Sequence, residues 1–136
     1  AGSAFCIDPS GLFVTNAHVV DVQEGAKVDV RLVWNEDGEK RRVTPARVLR
    51  TSLLYDLALL KCEPIPGVVP LELGVDDDLI ETKPVTSFGY PFGDALAVRE
   101  GAPPNVTVTT GRITALRRKD GALLVVQIDG LLNPGN

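Results

Sequence analysis

Apolar and polar residues alternate along most of this chain, which is the pattern of β-strands that bury one face. Residues 28–32 alternate aliphatic with charged side chains, the Asn-Glu-Asp-Gly sequence at 35–38 is typical of a turn, and residues 40–50 resume the alternation. These three segments predict a β-hairpin. A period of two residues constrains the chain more than any other feature, because it excludes a helical bundle.

Further strand-like runs follow at short spacing, separated by glycine, proline, asparagine or aspartate. They cover residues 2–7, 12–15, 57–62, 85–88, 105–116 and 123–128. Gly111 interrupts the longest run and predicts a bulge or a bend at that position. The proline-rich residues 64–73 are predicted to cross between two halves of the fold. Many short strands with turn residues between them predict an all-β barrel or sandwich.

Two segments have helical character, and both are short. Residues 16–22 could form one turn capped by Asn16, and Asp76–Asp78 could begin another turn. We interpret the three aspartates as a cap in a solvated loop, because the ligand spacing of an EF-hand calcium loop is absent.

Composition narrows the function classes. With 136 residues, the chain has the length of one domain or part of a larger one. Its net charge of −4 argues against a nucleic-acid partner, which would require a basic face. The basic cluster Arg117-Arg118-Lys119 precedes Asp120-Gly121, so we interpret it as a solvated hairpin tip. No run approaches the ~20 apolar residues that a membrane-spanning helix needs, so no membrane segment is predicted.

The two cysteines, Cys6 and Cys62, both lie in apolar strand-like runs. We interpret them as buried free thiols. A disulfide between them stays open as an alternative, because the sequence does not supply the geometry that a disulfide requires. Neither cysteine has a histidine or a second cysteine at metal-ligand spacing, so no metal site is predicted.

His18 and Asp56 are the candidate catalytic residues. His18 is the only histidine, and a lone histidine is more often structural, but this one directly follows a strand that ends in Val14-Thr15. Asp56 opens an apolar strand, where it is either a solvent-facing residue or a buried carboxylate that meets a partner. Such a carboxylate could accept the Nδ1 proton of His18 and so fix the tautomer of a general base.

Five segments resemble the bacterial trypsin-like serine proteases of the HtrA (Deg) type. Residues 2–20, with Thr15-Asn16-Ala17-His18-Val19, resemble the histidine-bearing strand pair of that family. Residues 56–61 (Asp-Leu-Ala-Leu-Leu-Lys) are similar to the strand that bears the family's aspartate. Residues 88–93 and 108–115 resemble its Gly-x-Pro-x-Gly and Val-Thr-x-Gly-x-Ile segments, and residues 127–136 resemble the approach to its nucleophilic serine.

The resemblance implies a chymotrypsin-like double β-barrel. Residues 1–63 would form the first barrel, 64–83 a crossover and 84–136 part of an incomplete second barrel. His18 would be the general base, Asp56 its orienting carboxylate and Gly135 a donor of the oxyanion hole. The serine nucleophile is absent from the chain and is expected directly after Asn136.

The resemblance also bears on substrates and location. Leu131 and Leu132 would begin the substrate pocket and favour an apolar residue before the scissile bond. The predicted function is that of a serine endopeptidase acting on polypeptides without a cofactor, inactive as these 136 residues alone. An extracytoplasmic location is favoured. The alternative is a non-catalytic trypsin-like scaffold that binds or regulates other proteins; the residue after Asn136 distinguishes the two.

Overall fold

The computed structural model describes residues 2–20, 29–36, 40–90 and 106–132 of the chain. Within these residues the fold consists of strands and two short 3-10 helices, Ala17–Val20 and Asp76–Asp78. The strands are β1 (Phe5–Asp8), β2 (Leu12–Thr15), β3 (Val30–Glu36), β4 (Lys40–Ser52), β5 (Leu57–Cys62), β6 (Pro84–Gly89), β7 (Thr107–Lys119) and β8 (Ala122–Ile128). The predicted all-β class is therefore confirmed. No helix among the described residues has the length and apolar character required to cross a membrane.

The first sheet contains five antiparallel strands in the order β1-β2-β5-β4-β3. Phe13 of β2 lies opposite Leu60 of β5, and Val48 of β4 lies on the other side of Leu60. Alternate residues of these strands therefore point to one side and form a core with the two cysteines. A cavity of about 580 Å³ adjoins this core and is lined by residues that include Phe13, Trp34 and Leu60.

Strand β3 extends further along its partner β4 than predicted. Asn35 and Glu36, which we expected in the turn, continue β3 and pair with Arg41 and Lys40. The side chain of Glu36 explains the extension, because Arg42 Nε donates to its Oε2 at 2.8 Å. This cross-strand pair favours the ladder over an earlier turn.

The second sheet contains β6, β7 and β8 in that order and is open within the described residues. Asp120 and Gly121 connect β7 to β8 with φ angles of 51° and 80°. Two successive positive φ angles are typical of a type I′ hairpin turn, whose twist matches that of the strands. The exposed residues Arg117, Arg118 and Lys119 flank this turn, which confirms the interpretation as a solvated hairpin tip.

Gly111 is not the site of a bulge. It pairs in regular register with Val85 of β6, and the irregularity of β7 lies between Ile113 and Ala115. A close backbone contact explains the glycine instead, because a Cβ atom at this position would lie 2.6 Å from the backbone nitrogen of Gly130. The missing side chain allows the segment after β8 to pack against β7.

Candidate active site

Asp56 lies in the tight turn between β4 and β5. We expected it to open the strand, but the strand begins at Leu57 and Asp56 adopts a left-handed conformation with φ of 51°. Aspartate is one of the few residues other than glycine that enters this region readily. The turn directs both the carbonyl group and the carboxylate of Asp56 toward the end of β2, where they accept hydrogen bonds from residues 16–18.

The end of β2 is held in place by its neighbours. Thr15 is only 5% exposed, lies opposite Ala58 of β5, and donates its hydroxyl to the carbonyl of Ser3 at 2.7 Å. The N–H of Ala17 donates to the carbonyl of Asp56 at 3.1 Å. The pairing of β2 with β5 thus brings residues 16–18 against Asp56, although about 40 positions separate them in the sequence.

Two hydrogen bonds join His18 to the carboxylate of Asp56. The backbone N–H of His18 donates to Oδ1 at 2.9 Å, and the ring Nδ1 lies 2.6 Å from Oδ2. An ionised carboxylate only accepts hydrogen bonds, so Nδ1 must carry the proton. The arrangement therefore selects the tautomer in which Nε2 is free of its proton and can accept one.

These contacts lower the pKa of Asp56. The largest cause is the hydrogen bond from the His18 backbone N–H, followed by the bond from the His18 side chain, and Asn16 contributes as well. The side chains of His18 and Asp56 are 65% and 45% exposed. Asp56 thus lies between the two alternatives, neither fully buried nor fully solvent-facing, and it meets a partner. Hydrogen bonding rather than charge attraction in a dry interior keeps it ionised.

The lowered pKa has a consequence for stability in acid. A carboxyl group with a depressed pKa in the folded state contributes stability above its ordinary pKa of 3.8, and loses it as the pH falls through the lowered value. We expect the stability difference between the native chain and Asp56→Asn to shrink as urea unfolding is repeated at decreasing acidic pH. A difference that does not depend on pH would contradict this assignment.

Asn16 is a site residue that the sequence reasoning missed. We predicted it only as a helix cap, but its side-chain Nδ2 donates to the carbonyl of Asp56 at 3.0 Å and to Oδ2 at 3.2 Å. The signal that could have identified it is its position two residues before His18, at the end of a strand. An amide there can reach the same partner as the histidine.

Of the other predicted site residues, the structure describes Leu131 and Leu132. Gly135 lies outside the described residues. Leu131 and Leu132 follow β8 and are 81% and 55% exposed, and neither lines the cavity of the first sheet.

Cys6 and Cys62 are buried free thiols, as predicted, and burial raises the pKa of Cys62. No cluster of three potential metal ligands occurs among the described residues.

A histidine and an aspartate joined in this way, next to the ends of two neighbouring strands of an all-β fold, are the arrangement expected of a trypsin-like serine peptidase. The sequence matches the family described as "Trypsin-like peptidase domain" over residues 2–136. The chain therefore belongs to this family, and its relatives are of the HtrA/Deg type.

Known proteins resemble the chain over nearly its full length. Protease Do-like 2, chloroplastic, of Arabidopsis thaliana is 36% identical and covers 99% of this chain. Serine protease PepD of Mycobacterium tuberculosis is 30% identical and also covers 99% of it. The chain spans only 20% and 29% of the length of these two curated relatives.

Solved structures confirm the fold class. The HtrA-type protease AlgW with a decapeptide is 27% identical and has a TM-score of 0.69. The match covers 98% of this chain and 37% of the AlgW chain. Deg5 is 24% identical and its structure has a TM-score of 0.78. The match covers 99% of this chain and 65% of the Deg5 chain. The fold is thus the chymotrypsin-like double barrel of HtrA proteases, with an incomplete second barrel in the described residues.

Proposed function

We propose that the chain is the peptidase domain of a serine endopeptidase that hydrolyses polypeptides through an acyl-enzyme. The observation that carries the proposal is the 2.6 Å contact between His18 Nδ1 and Asp56 Oδ2, together with the 2.9 Å bond from the His18 backbone. This arrangement provides a general base whose tautomer and orientation are fixed. The names of the relatives support the proteolytic chemistry.

The nucleophile in this proposal is a serine directly after Asn136, by resemblance of residues 127–136 to the family's segment. Nε2 of His18 takes the serine hydroxyl proton while the serine oxygen bonds to the carbonyl carbon. The imidazolium then gives that proton to the leaving amine as the C–N bond breaks. Water repeats the two steps and releases the acid. Asp56 stays ionised throughout and stabilises the imidazolium.

The oxyanion formed in each step needs donors. We assign one of them to the backbone N–H of Gly135 and the other to the N–H of the serine. Loss of a single oxyanion donor typically costs about 3–4 kcal/mol of transition-state stabilisation. Residues 1–136 alone supply the base, its orienting carboxylate and one such donor, so we expect no hydrolysis from them without the serine.

Other parts of the proposal rest on the resemblance. We assign residues 1–63, 64–83 and 84–136 to the first barrel, the crossover and part of the second barrel. Leu131 and Leu132 would favour an apolar substrate residue before the scissile bond, and their exposed side chains leave apolar surface for such a contact. By the same resemblance we assign the protein to an extracytoplasmic location.

Incubation of the full-length protein with an unfolded protein substrate tests the proposal. Mass spectrometry should detect new termini inside the substrate, and His18→Ala should abolish them. The 136-residue chain serves as a second control and should yield none. The non-catalytic scaffold would be favoured if the full-length protein does not cleave the substrate and its natural residue after Asn136 is glycine, alanine or aspartate.

A further inference from the structure

Asn16 occupies an unusual position relative to the histidine–aspartate pair. It is the single residue between the end of β2 and the 3-10 helix Ala17–Val20, and its carbonyl accepts the N–H of Val19 at 3.2 Å. Its side chain, however, turns toward Asp56 on a different segment. An asparagine at such a position usually binds the backbone of its own helix, so the contact with Asp56 calls for another explanation.

The orientation of the Asn16 amide is determined by its partners. Both atoms that it faces, the carbonyl oxygen and Oδ2 of Asp56, are acceptors when the carboxylate is ionised. The atom between them must therefore be the NH₂ nitrogen, because the amide oxygen would be repelled by both. One NH₂ group has two hydrogens, and these two acceptors occupy both of them.

The result is a carboxylate held from two sides. The backbone N–H of His18 binds Oδ1, whereas Asn16 binds Oδ2, the same oxygen that lies 2.6 Å from His18 Nδ1. Rotation of the carboxylate about its χ2 angle would break both bonds. Asn16 itself has little freedom, since its neighbours Thr15 and Ala17 are 5% and 3% exposed.

We propose that Asn16 is a positioning residue that fixes the carboxylate plane of Asp56 so that Oδ2 faces Nδ1 of His18. This proposal deepens the proposed function and rests on it for its catalytic meaning. Asn16 acts through Asp56, not on the substrate. Asp56 needs such a donor because its side chain is 45% exposed, so water competes for the hydrogen bonds of its carboxylate.

Two substitutions distinguish a role of Asn16 as a hydrogen-bond donor from a role in packing. Asn16→Ala removes the donor, whereas Asn16→Asp keeps the shape and places an acceptor against Oδ2. Within the described residues, hydrogen bonds from His18 and Asn16 lower the pKa of Asp56, whereas its partial burial raises it. Loss of the Asn16 bond should therefore be visible in the Asp56 titration. We expect the pKa of Asp56 to rise in Asn16→Ala and to rise further in Asn16→Asp.

The titration can be followed in the 136-residue chain by carbon NMR of the aspartate carboxyl groups, without any turnover. Asn35→Asp is the matched control, since it makes the same chemical change in β3. Asp8, whose pKa is lowered by Ser10 and not by the site, is an internal reference in every variant. We expect Asn35→Asp to leave Asp56 unchanged and the two Asn16 variants to weaken the His18 Nδ1 proton resonance through faster exchange.

In the full-length protein, Asn16→Ala should lower kcat about 10- to 100-fold with little change in KM, as for a misplaced catalytic group. An unchanged Asp56 titration in both Asn16 variants would overturn the proposal. If the titration shifts but the native full-length protein cleaves no peptide, the proposed function fails while the orienting contact stands. If kcat falls only in proportion to the folded fraction measured by circular dichroism, Asn16 is merely structural and the proposal fails.

Discussion

Replacing Asp56 by asparagine in the full-length protein should lower kcat for peptide hydrolysis about 10⁴-fold. The Oδ1 position must accept the backbone N–H of His18, so the new NH₂ group would face His18 Nδ1. The ring would then have to accept at Nδ1 and carry its proton on Nε2. In that tautomer it cannot take the proton of the serine. The new NH₂ group also cannot accept the hydrogen bond that Asn16 Nδ2 donates to Oδ2 in the native protein.

Asp8→Asn is the matched control for this prediction. Asp8, the last residue of β1, begins the turn to β2 and also has a lowered pKa, and its Oδ1 accepts the N–H of Ser10 at 2.8 Å. It lies before the first residue of β2, at the opposite end of that strand from His18. Steady-state kinetics should therefore give near-native kcat for Asp8→Asn. Equal losses in the two variants would indicate a general effect of lost turn aspartates and would contradict the role of Asp56.

Leu60→Ala should lower the free energy of unfolding by about 2–5 kcal/mol. Leu60 is 1% exposed and lies between Phe13 on β2 and Val48 on β4, so its removal leaves a cavity at the centre of the first sheet. Urea titration can be followed through Trp34, the only tryptophan in the chain. That indole belongs to the same sheet and donates to Thr44 Oγ1 at 3.0 Å.

The control for the core variant makes the same change on the surface. Leu54 lies in the turn before Asp56 and is 82% exposed, so Leu54→Ala should change stability by no more than about 0.5 kcal/mol. If Leu60→Ala and Leu54→Ala have similar unfolding midpoints, the first sheet does not have the core described above.

The alternation of side chains predicted the strands well, because burial of one face imposes a period of two regardless of the partner strand. The ends of strands were less predictable. Asn35 and Glu36 have low strand propensity, yet Arg42 on the opposite strand holds Glu36 in the ladder. The bulge predicted as one possibility at Gly111 was wrong for a similar reason, since a glycine is needed there by the close approach of the distant backbone of Gly130.

The candidate site was partly visible in the sequence. His18 and Asp56 could be selected because each stands at an unusual place, and residues 15–19 and 56–61 resemble a known pattern. Asn16 could not be selected in the same way, because its partners are 40 positions away and its residue type is equally suited to a cap. The sequence left open whether Asp56 is buried or solvent-facing, because its exposure depends on which segments cover the turn.

Labelling of the full-length protein with a fluorophosphonate, followed by peptide mapping, determines whether His18 activates a serine that follows Asn136. We predict that the label attaches to a serine directly after Asn136, that His18→Ala prevents this, and that the 136-residue chain takes up no label. Labelling that persists in His18→Ala, attachment at another residue, or a full-length protein that is not labelled at all would contradict the account.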